Sequence, residues 1–202
     1  MIVDVSFAIS CQTPLPADHG YILYSALSRS CAELHSENGI AVHPLRGQLI
    51  GPRQLQLCPW SRLVLRAEAQ RIPMLIGLAG KQLNLADRPL RVGIPQVIPL
   101  VPAPTLRSRL VTTKHGQDVD RFRTELRRQL DALRVAAEVQ PILGKRRTLR
   151  IKDKEVVGHE VLLEGLSVEE SLAIQEIGLG GRRHMGCGVF VPLERTQGGD
   201  RD

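Results

Sequence analysis

Six histidines, at positions 19, 35, 43, 115, 159 and 184, are the side chains in this 202-residue chain best suited to moving protons near neutral pH. An unperturbed imidazole titrates at ~6.5, so it can take a proton from a weak acid and return it. Three of the six stand in segments with further chemical potential. His35 follows an apolar-striped stretch in Glu33-Leu34-His35-Ser36, His43 opens His43-Pro44-Leu45-Arg46-Gly47, and His184 lies within Gly178-Leu179-Gly180-Gly181-Arg182-Arg183-His184-Met185-Gly186-Cys187-Gly188-Val189-Phe190. That last segment has the form G-h-G, five residues, G-h-G, where h is apolar. A dinucleotide or phosphate loop needs a strand before the glycines and a helix after them. Here a helix precedes and a strand is expected to follow, and no G-K-[ST] is present, so both nucleotide-loop readings fail. Two readings remain: a turn that merely packs the last helix against the last strand, or a side-chain-poor turn whose glycines let a nucleic-acid strand approach, with Arg182 and Arg183 supplying phosphate charge.

Charge points the same way. Lys plus Arg number 27 against 21 for Asp plus Glu, a net charge of +6, and only five of the cations are lysines. Arginine's planar fork suits phosphate, although a GC-rich genome also enriches it. The densest run is Lys145-Arg146-Arg147-Thr148-Leu149-Arg150-Ile151-Lys152-Asp153-Lys154. Alternation at 150, 152 and 154 would place several cations on one strand face, a track for a phosphate backbone. Aromatic residues make up only 3%, so stacked-base platforms are not expected. The cysteines at 11, 31, 58 and 187 have neither zinc spacing nor disulfide density, which suits a reducing cytoplasm. No His/Cys/Asp cluster has metal-ligand spacing, so neither a metal nor another cofactor is expected. No apolar run is long enough for a membrane helix. The opening MIVDVSFAIS lacks a basic n-region and reads as a strand rather than a signal peptide.

These side chains need elements to position them. Val3, Val5, Phe7 and Ile9 alternate, predicting a strand over 2–9. Asp18 is placed to cap a helix over 19–34, striped by Leu23, Leu27, Cys31 and Leu34. Turn signals between 38 and 57 predict short strands, followed by a strand at 61–66, a short helix at 72–79, and strands at 81–85 and 89–100. Prolines 95, 99, 102 and 104 mark a boundary, after which the order recurs. A strand at 106–113 comes first, then a helix at 119–134 striped by Val119, Phe122, Leu126, Leu130 and Leu133. Strands at 147–152 and 155–163 follow, then a helix over 168–177 with a Ser167/Glu170 capping box, and a last strand at about 185–192. The chain is therefore expected to be α+β, two tandem ferredoxin-like βαββαβ domains spanning 1–100 and 105–202.

Asp18-His19-Gly20-Tyr21, His43 to Gly47 and Gly178 to Phe190, with the order of elements, resemble the CRISPR-associated repeat-RNA endoribonucleases of the Cas-six family, in the RAMP superfamily. More narrowly, these three stretches resemble the form found in myxobacterial-type subtype I systems. The resemblance implies the RAMP-type tandem ferredoxin-like fold and metal-independent cleavage of CRISPR repeat RNA in the precursor transcript. Such cleavage gives mature guide RNAs by attack of the 2′-hydroxyl, leaving a 2′,3′-cyclic phosphate and a 5′-hydroxyl. A non-catalytic RAMP subunit that only holds guide RNA in an effector complex is the alternative. By the same resemblance the general base lies at the end of the first helix, where His35 stands, so the first domain would carry the catalytic histidine. His43 is the second candidate, as acid or base, and Arg46 is a candidate to stabilise the phosphorane. RNA would be bound by Lys145, Arg146, Arg147, Arg150, Lys152, Gly180, Gly181, Arg182, Arg183 and His184. The family often has a tyrosine in the first helix facing the cut; here Ser28 stands near that place, with Tyr21 and Tyr24 earlier. The implied partners are CRISPR repeat RNA and other Cas subunits of an effector complex, in the cytoplasm and not at a membrane.

Overall fold

Strand β1 (Ile2–Ser10) buries Val3, Val5, Phe7 and Ile9 on one face, as the alternation predicts. The structure, a computed structural model, describes residues 1–36 and 39–193, apart from the side chains of 35 and 36. After β1 come β2 (Leu15–Pro16), α1 (Gly20–Ser30), the single turn α2 (Glu33–Ser36), β3 (Ala41–Val42), β4 (Gln48–Gly51), β5 (Gln54–Gln56) and β6 (Arg62–Glu68). Helix α3 (Ile72–Ile76), β7 (Gln82–Asn84) and β8 (Pro89–Pro99) complete the first unit. The second unit contains β9 (Thr105–Val111), α4 (Val119–Ala132), β10 (Ile142–Ile151), β11 (Lys154–Glu164), α5 (Val168–Ile177) and β12 (Val191–Pro192).

The two main sheets share one topology. Their orders are β3-β6-β1-β8-β7 and β10-β11-β9-β12, with every pairing antiparallel. Once the added edge strand β7 is set aside, each reads second, third, first, fourth strand of a βαββαβ unit, the ferredoxin-like arrangement. A small sheet, β2-β5-β4, stands apart from them. Each unit has its own core. Leu23, Leu27, Cys31 and Leu34 join Val5, Phe7, Leu63 and Leu65 in the first, while Phe122, Leu126 and Leu130 join Val161, Leu163, Ile174 and Phe190 in the second.

Four local expectations are corrected. The helix expected over 19–34 ends at Ser30, where Cys31 turns extended, and Asp18 does not cap it. The Asp18 carboxylate instead accepts from the Arg150 N–H at 2.8 Å, tying α1's entrance to the second unit. Val119, placed on the α4 stripe, is 41% exposed. The last strand is far shorter than 185–192, because Arg182, Gly186 and Gly188 all take positive φ and coil the chain into a 3-10 turn at Arg183–Met185. The capping box is present as expected, with Ser167 Oγ accepting from Glu170 N–H and the Glu170 carboxylate from Ser167 N–H.

Candidate functional site

His43 prolongs β3 by one residue, its N–H donating to the Val64 carbonyl at 2.9 Å. Its Nε2 is buried and lies 3.4 Å from Asp4 Oδ1, an ion-pair distance without a formed hydrogen bond. Asp4 faces Arg66 across the β1–β6 pairing. Arg66 Nε and Nη2 donate to the two carboxylate oxygens at 2.7 and 2.9 Å. Its Nη1 donates to the Gln175 and Phe190 carbonyls at 2.9 and 2.8 Å. Burial pushes the Asp4 carboxyl upward, yet hydrogen bonds from Arg66 and the contact with His43 hold it well below the usual carboxylate range. For His43, burial lowers the pKa, Asp4 opposes this, and the charges of Arg66 and Arg183 add to the lowering. The imidazole is therefore neutral near pH 7, the form a general base requires.

The glycine-rich segment is seated against this strand and against α1. A Cβ on Gly20 would meet the Met185 carbonyl oxygen at 2.3 Å, so the first turn of α1 touches the segment's backbone directly. On the opposite side, a Cβ on Gly186 would lie 3.4 Å from Pro44 N and 3.5 Å from Val42 O. One turn along α1, the Tyr24 ring lies 4.4 Å from that of His184, tilted by 51°. Tyr24, His43 and His184, well separated in sequence, thus come from three elements packed around one short turn. Ser28 lies one turn beyond Tyr24, with its Oγ buried and unpartnered.

The glycines also serve the segment's own packing. At Gly188, φ is +65° and a Cβ would stand 2.0 Å from the Leu179 oxygen, so the two G-h-G ends clasp each other. Gly180 N–H donates to Gln129 Oε1 at 2.7 Å, and Gly181 N–H to the Thr112 carbonyl at 2.9 Å. Gly181 is exposed, and a Cβ there would meet nothing within 4 Å, so it is open to an approaching strand. Arg182 takes a left-handed conformation and is half-buried. Arg183 folds back instead, its Nη2 donating to the Glu176 carbonyl at 2.8 Å. Burial and the nearby Arg66 charge bring its pKa down to about 10.

The remaining candidates are more dispersed. The backbone of His35 lies in α2, while its side chain falls outside the described residues. Arg46 is exposed, three residues past His43, and its carbonyl accepts from Ser61 Oγ at 2.6 Å. Lys145 and Arg146 are exposed on β10, and Arg150 is exposed near its end. Arg147 is half-buried, its Nη2 3.4 Å from Glu160 Oε2, while Arg107 of β9 holds the other carboxylate oxygen. Lys152 belongs to the hairpin turn between β10 and β11, at φ +52°. The supposed alternation of 150, 152 and 154 along one strand face is therefore broken by a turn. His19 is structural: its Nε2 accepts from Leu45 N–H at 2.9 Å, leaving Nδ1–H to donate to the Pro16 carbonyl at 3.1 Å. Burial holds its pKa down at about 4.

Asp4, Arg66 and Arg107 escaped the sequence reading. Each sits at a polar position of an alternating strand, where a solvent-facing charge is the ordinary inference. The available signal was an acid in β1 and a base in β6 on matching faces, which only the strand pairing makes into a contact. No three His, Cys, Asp or Glu side chains gather as possible metal ligands among the described residues. No helix among them is long and apolar enough to cross a membrane.

Comparison with known proteins adds to this geometry. A family model described as "Cas6 Crispr" matches residues 3–195. The "CRISPR-associated endonuclease Cas6" of Myxococcus xanthus (strain DK1622) is 42% identical over 196 residues, covering 97% of this chain and 84% of the relative. Among solved structures, "CRISPR associated protein Cas6" aligns with a TM-score of 0.69 at 13% identity, covering 96% of this chain and 100% of that one. A Cas6-related protein from Pyrococcus furiosus aligns at 0.67 and 16% identity, covering 97% and 100%. "An RAMP protein binding different RNA substrates" aligns at 0.67 and 13% identity, covering 95% and 100%. These structural likenesses support the tandem ferredoxin-like fold.

Proposed function

The chain belongs to the Cas6 family of CRISPR-associated endonucleases, and from that premise we propose that it cuts CRISPR repeat RNA at the junction of α1, β3 and the glycine-rich segment. The observation that carries this reading is the placement of an imidazole, His43, beside the turn that bears His184, Arg182 and the open Gly181. His43 takes the proton of the RNA's 2′-hydroxyl, and the 2′-oxygen bonds to phosphorus as the bond to the 5′-oxygen breaks. The products are a 2′,3′-cyclic phosphate and a 5′-hydroxyl, the departing oxygen taking up a proton. Arg46 and Arg182 offer positive charge to the crowded phosphate. Because the nucleophile is the RNA's own hydroxyl, the scheme needs no metal-bound water. Arg107 and Arg147, which share Glu160, and the exposed Arg146 and Arg150 of β10 carry the backbone, with Lys145 and Lys152 beside them. Cytoplasmic action, supported by four free cysteines, and retention with other Cas subunits in an effector complex belong to the same proposal.

The test is incubation of the purified protein with repeat RNA in EDTA. Cleavage to cyclic-phosphate and 5′-hydroxyl ends is expected, with a 2′-deoxy nucleotide at the cut abolishing cleavage but not binding. His43→Ala should slow the reaction by the ~10²–10⁴-fold of a lost general base. That loss in His35→Ala, with His43→Ala unaffected, would move the base to His35. Binding without cleavage by the unmodified protein would leave a guide-RNA-holding subunit as the better account.

A further inference from the structure

One side chain from the other unit holds both the last turn of α5, which leads into the glycine-rich segment, and the segment's final residue. Arg66 Nη1 donates to the Gln175 carbonyl just before the segment and to the Phe190 carbonyl at its close, at 2.9 and 2.8 Å. Its other two nitrogens grip Asp4, whose Oδ1 lies 3.4 Å from His43 Nε2. One planar group thereby spans the carboxylate beside His43 and both feet of the segment bearing Arg182 and His184. Arg66 is 1% exposed, among the most deeply buried large side chains of the molecule. A buried charge is a poor way to add stability, since an apolar pair of similar volume often serves as well or better. What a guanidinium adds is direction: a rigid fork that fixes several acceptors relative to one another, which an ammonium cannot reproduce.

We infer that Arg66 is a positioning residue that sets the glycine-rich segment in register with His43 across the boundary between the two units, with Asp4 as their shared anchor. The inference deepens the proposed function and rests on its assignment of His43 as the base. The charged groups facing His43 are Asp4 from β1, Arg66 from β6 and Arg183 from the glycine-rich segment.

Single-turnover cleavage of repeat RNA by Arg66→Lys and Arg66→Gln, followed across pH beside His43→Ala, tests it. Lysine keeps the charge but not the fork. The rate at saturating RNA should fall ~10²-fold, as for a misplaced reacting group, with affinity nearly unchanged and the acid limb of the pH profile unmoved. Glutamine removes the charge while Asp4 remains, so the imidazolium is better stabilised and the acid limb should shift to higher pH. The neutral pair Asp4→Asn/Arg66→Gln guards against misfolding, since it should recover the melting temperature of Arg66→Gln without recovering the rate. Wild-type cleavage by Arg66→Lys would overturn the inference, as would loss of rate and RNA affinity in equal proportion in every Arg66 variant. Amide hydrogen exchange over 178–190 separates the two readings. Faster exchange and slow cleavage in Arg66→Lys, together with normal cleavage by His43→Ala, would keep the clamp and remove His43 as the base.

Discussion

In the first unit Asp4 on β1 meets Arg66 on β6; in the second Arg107 on β9 meets Glu160 on β11. These are the first and third strands of each βαββαβ unit, and the charges have changed places between them. Arg66 is 1% exposed and places three of its nitrogens on four protein acceptors. Arg107 is 39% exposed, and its carboxylate is shared with Arg147. The first cluster is a closed joint. The second, two guanidinium groups on one carboxylate, keeps a net positive charge that faces water. The same strand pairing thus yields an enclosed joint in one unit and a partly exposed cationic cluster in the other.

Removing one member of each pair tests that contrast most severely. Arg66→Met leaves Asp4 charged and half-enclosed, and should cost ~3–5 kcal/mol. Arg107→Met should cost no more than ~1 kcal/mol, as for an exposed pair. Chemical denaturation of both variants measures the difference, and equal losses would erase the distinction between joint and surface.

Acid should weaken the closed half first. The folded-state pKa of His19 is depressed to about 4, below its unfolded value of ~6.5. The unfolded chain therefore binds more protons between those limits, and stability present at pH 7 is lost as pH falls from ~6.5 towards 4. The depressed His43 contributes with the same sign. For His19 alone the loss is on the order of 3 kcal/mol. His19→Gln, which keeps an acceptor for Leu45 N–H, should flatten melting temperature against pH across this window; an unchanged slope would relieve His19 of the role.

Binding should respond at the exposed cluster instead. Arg147→Glu should weaken repeat-RNA affinity roughly tenfold and reduce the salt slope by about one phosphate contact. Arg66→Lys should leave that slope alone because Arg66 is enclosed, and a reduced slope there would show that this side chain itself meets a phosphate. The smallest effect is expected at Gly181→Ala, within ~0.5 kcal/mol in stability. Gly188→Ala, forced against the Leu179 oxygen at positive φ, should be markedly destabilised in the same melting experiment.

Much of this was legible in the residues. Val3, Val5, Phe7 and Ile9 specify a strand because a period of two puts them all on one face, and Phe122, Leu126 and Leu130 specify a helix because spacings of four do the same. The Ser167/Glu170 capping box is local chemistry and is found as read. The glycine pattern correctly marked an unusual segment, but not its shape. A strand was expected where positive φ at Arg182, Gly186 and Gly188 coils the chain. Asp18 looked like a helix cap because capping residues are recognised by proximity in sequence, whereas its partner, Arg150 N–H, is 132 residues away. Tyr24, set aside on position alone, meets His184 because Gly20 lets the segment approach α1.

By itself the sequence determined the repeated βαββαβ order, the two apolar cores and the excess of arginine, because each follows from periodicity or composition over a few neighbouring residues. Tertiary structure alone decided which charges are enclosed and which face water. Asp4, Arg66, Arg107 and Glu160 all occupy the polar positions of alternating strands, and nothing local distinguishes them. Their fates diverge because the last turn of α5 and Phe190, just before β12, lie over Arg66, accepting its hydrogen bonds and excluding the solvent that Arg107 keeps.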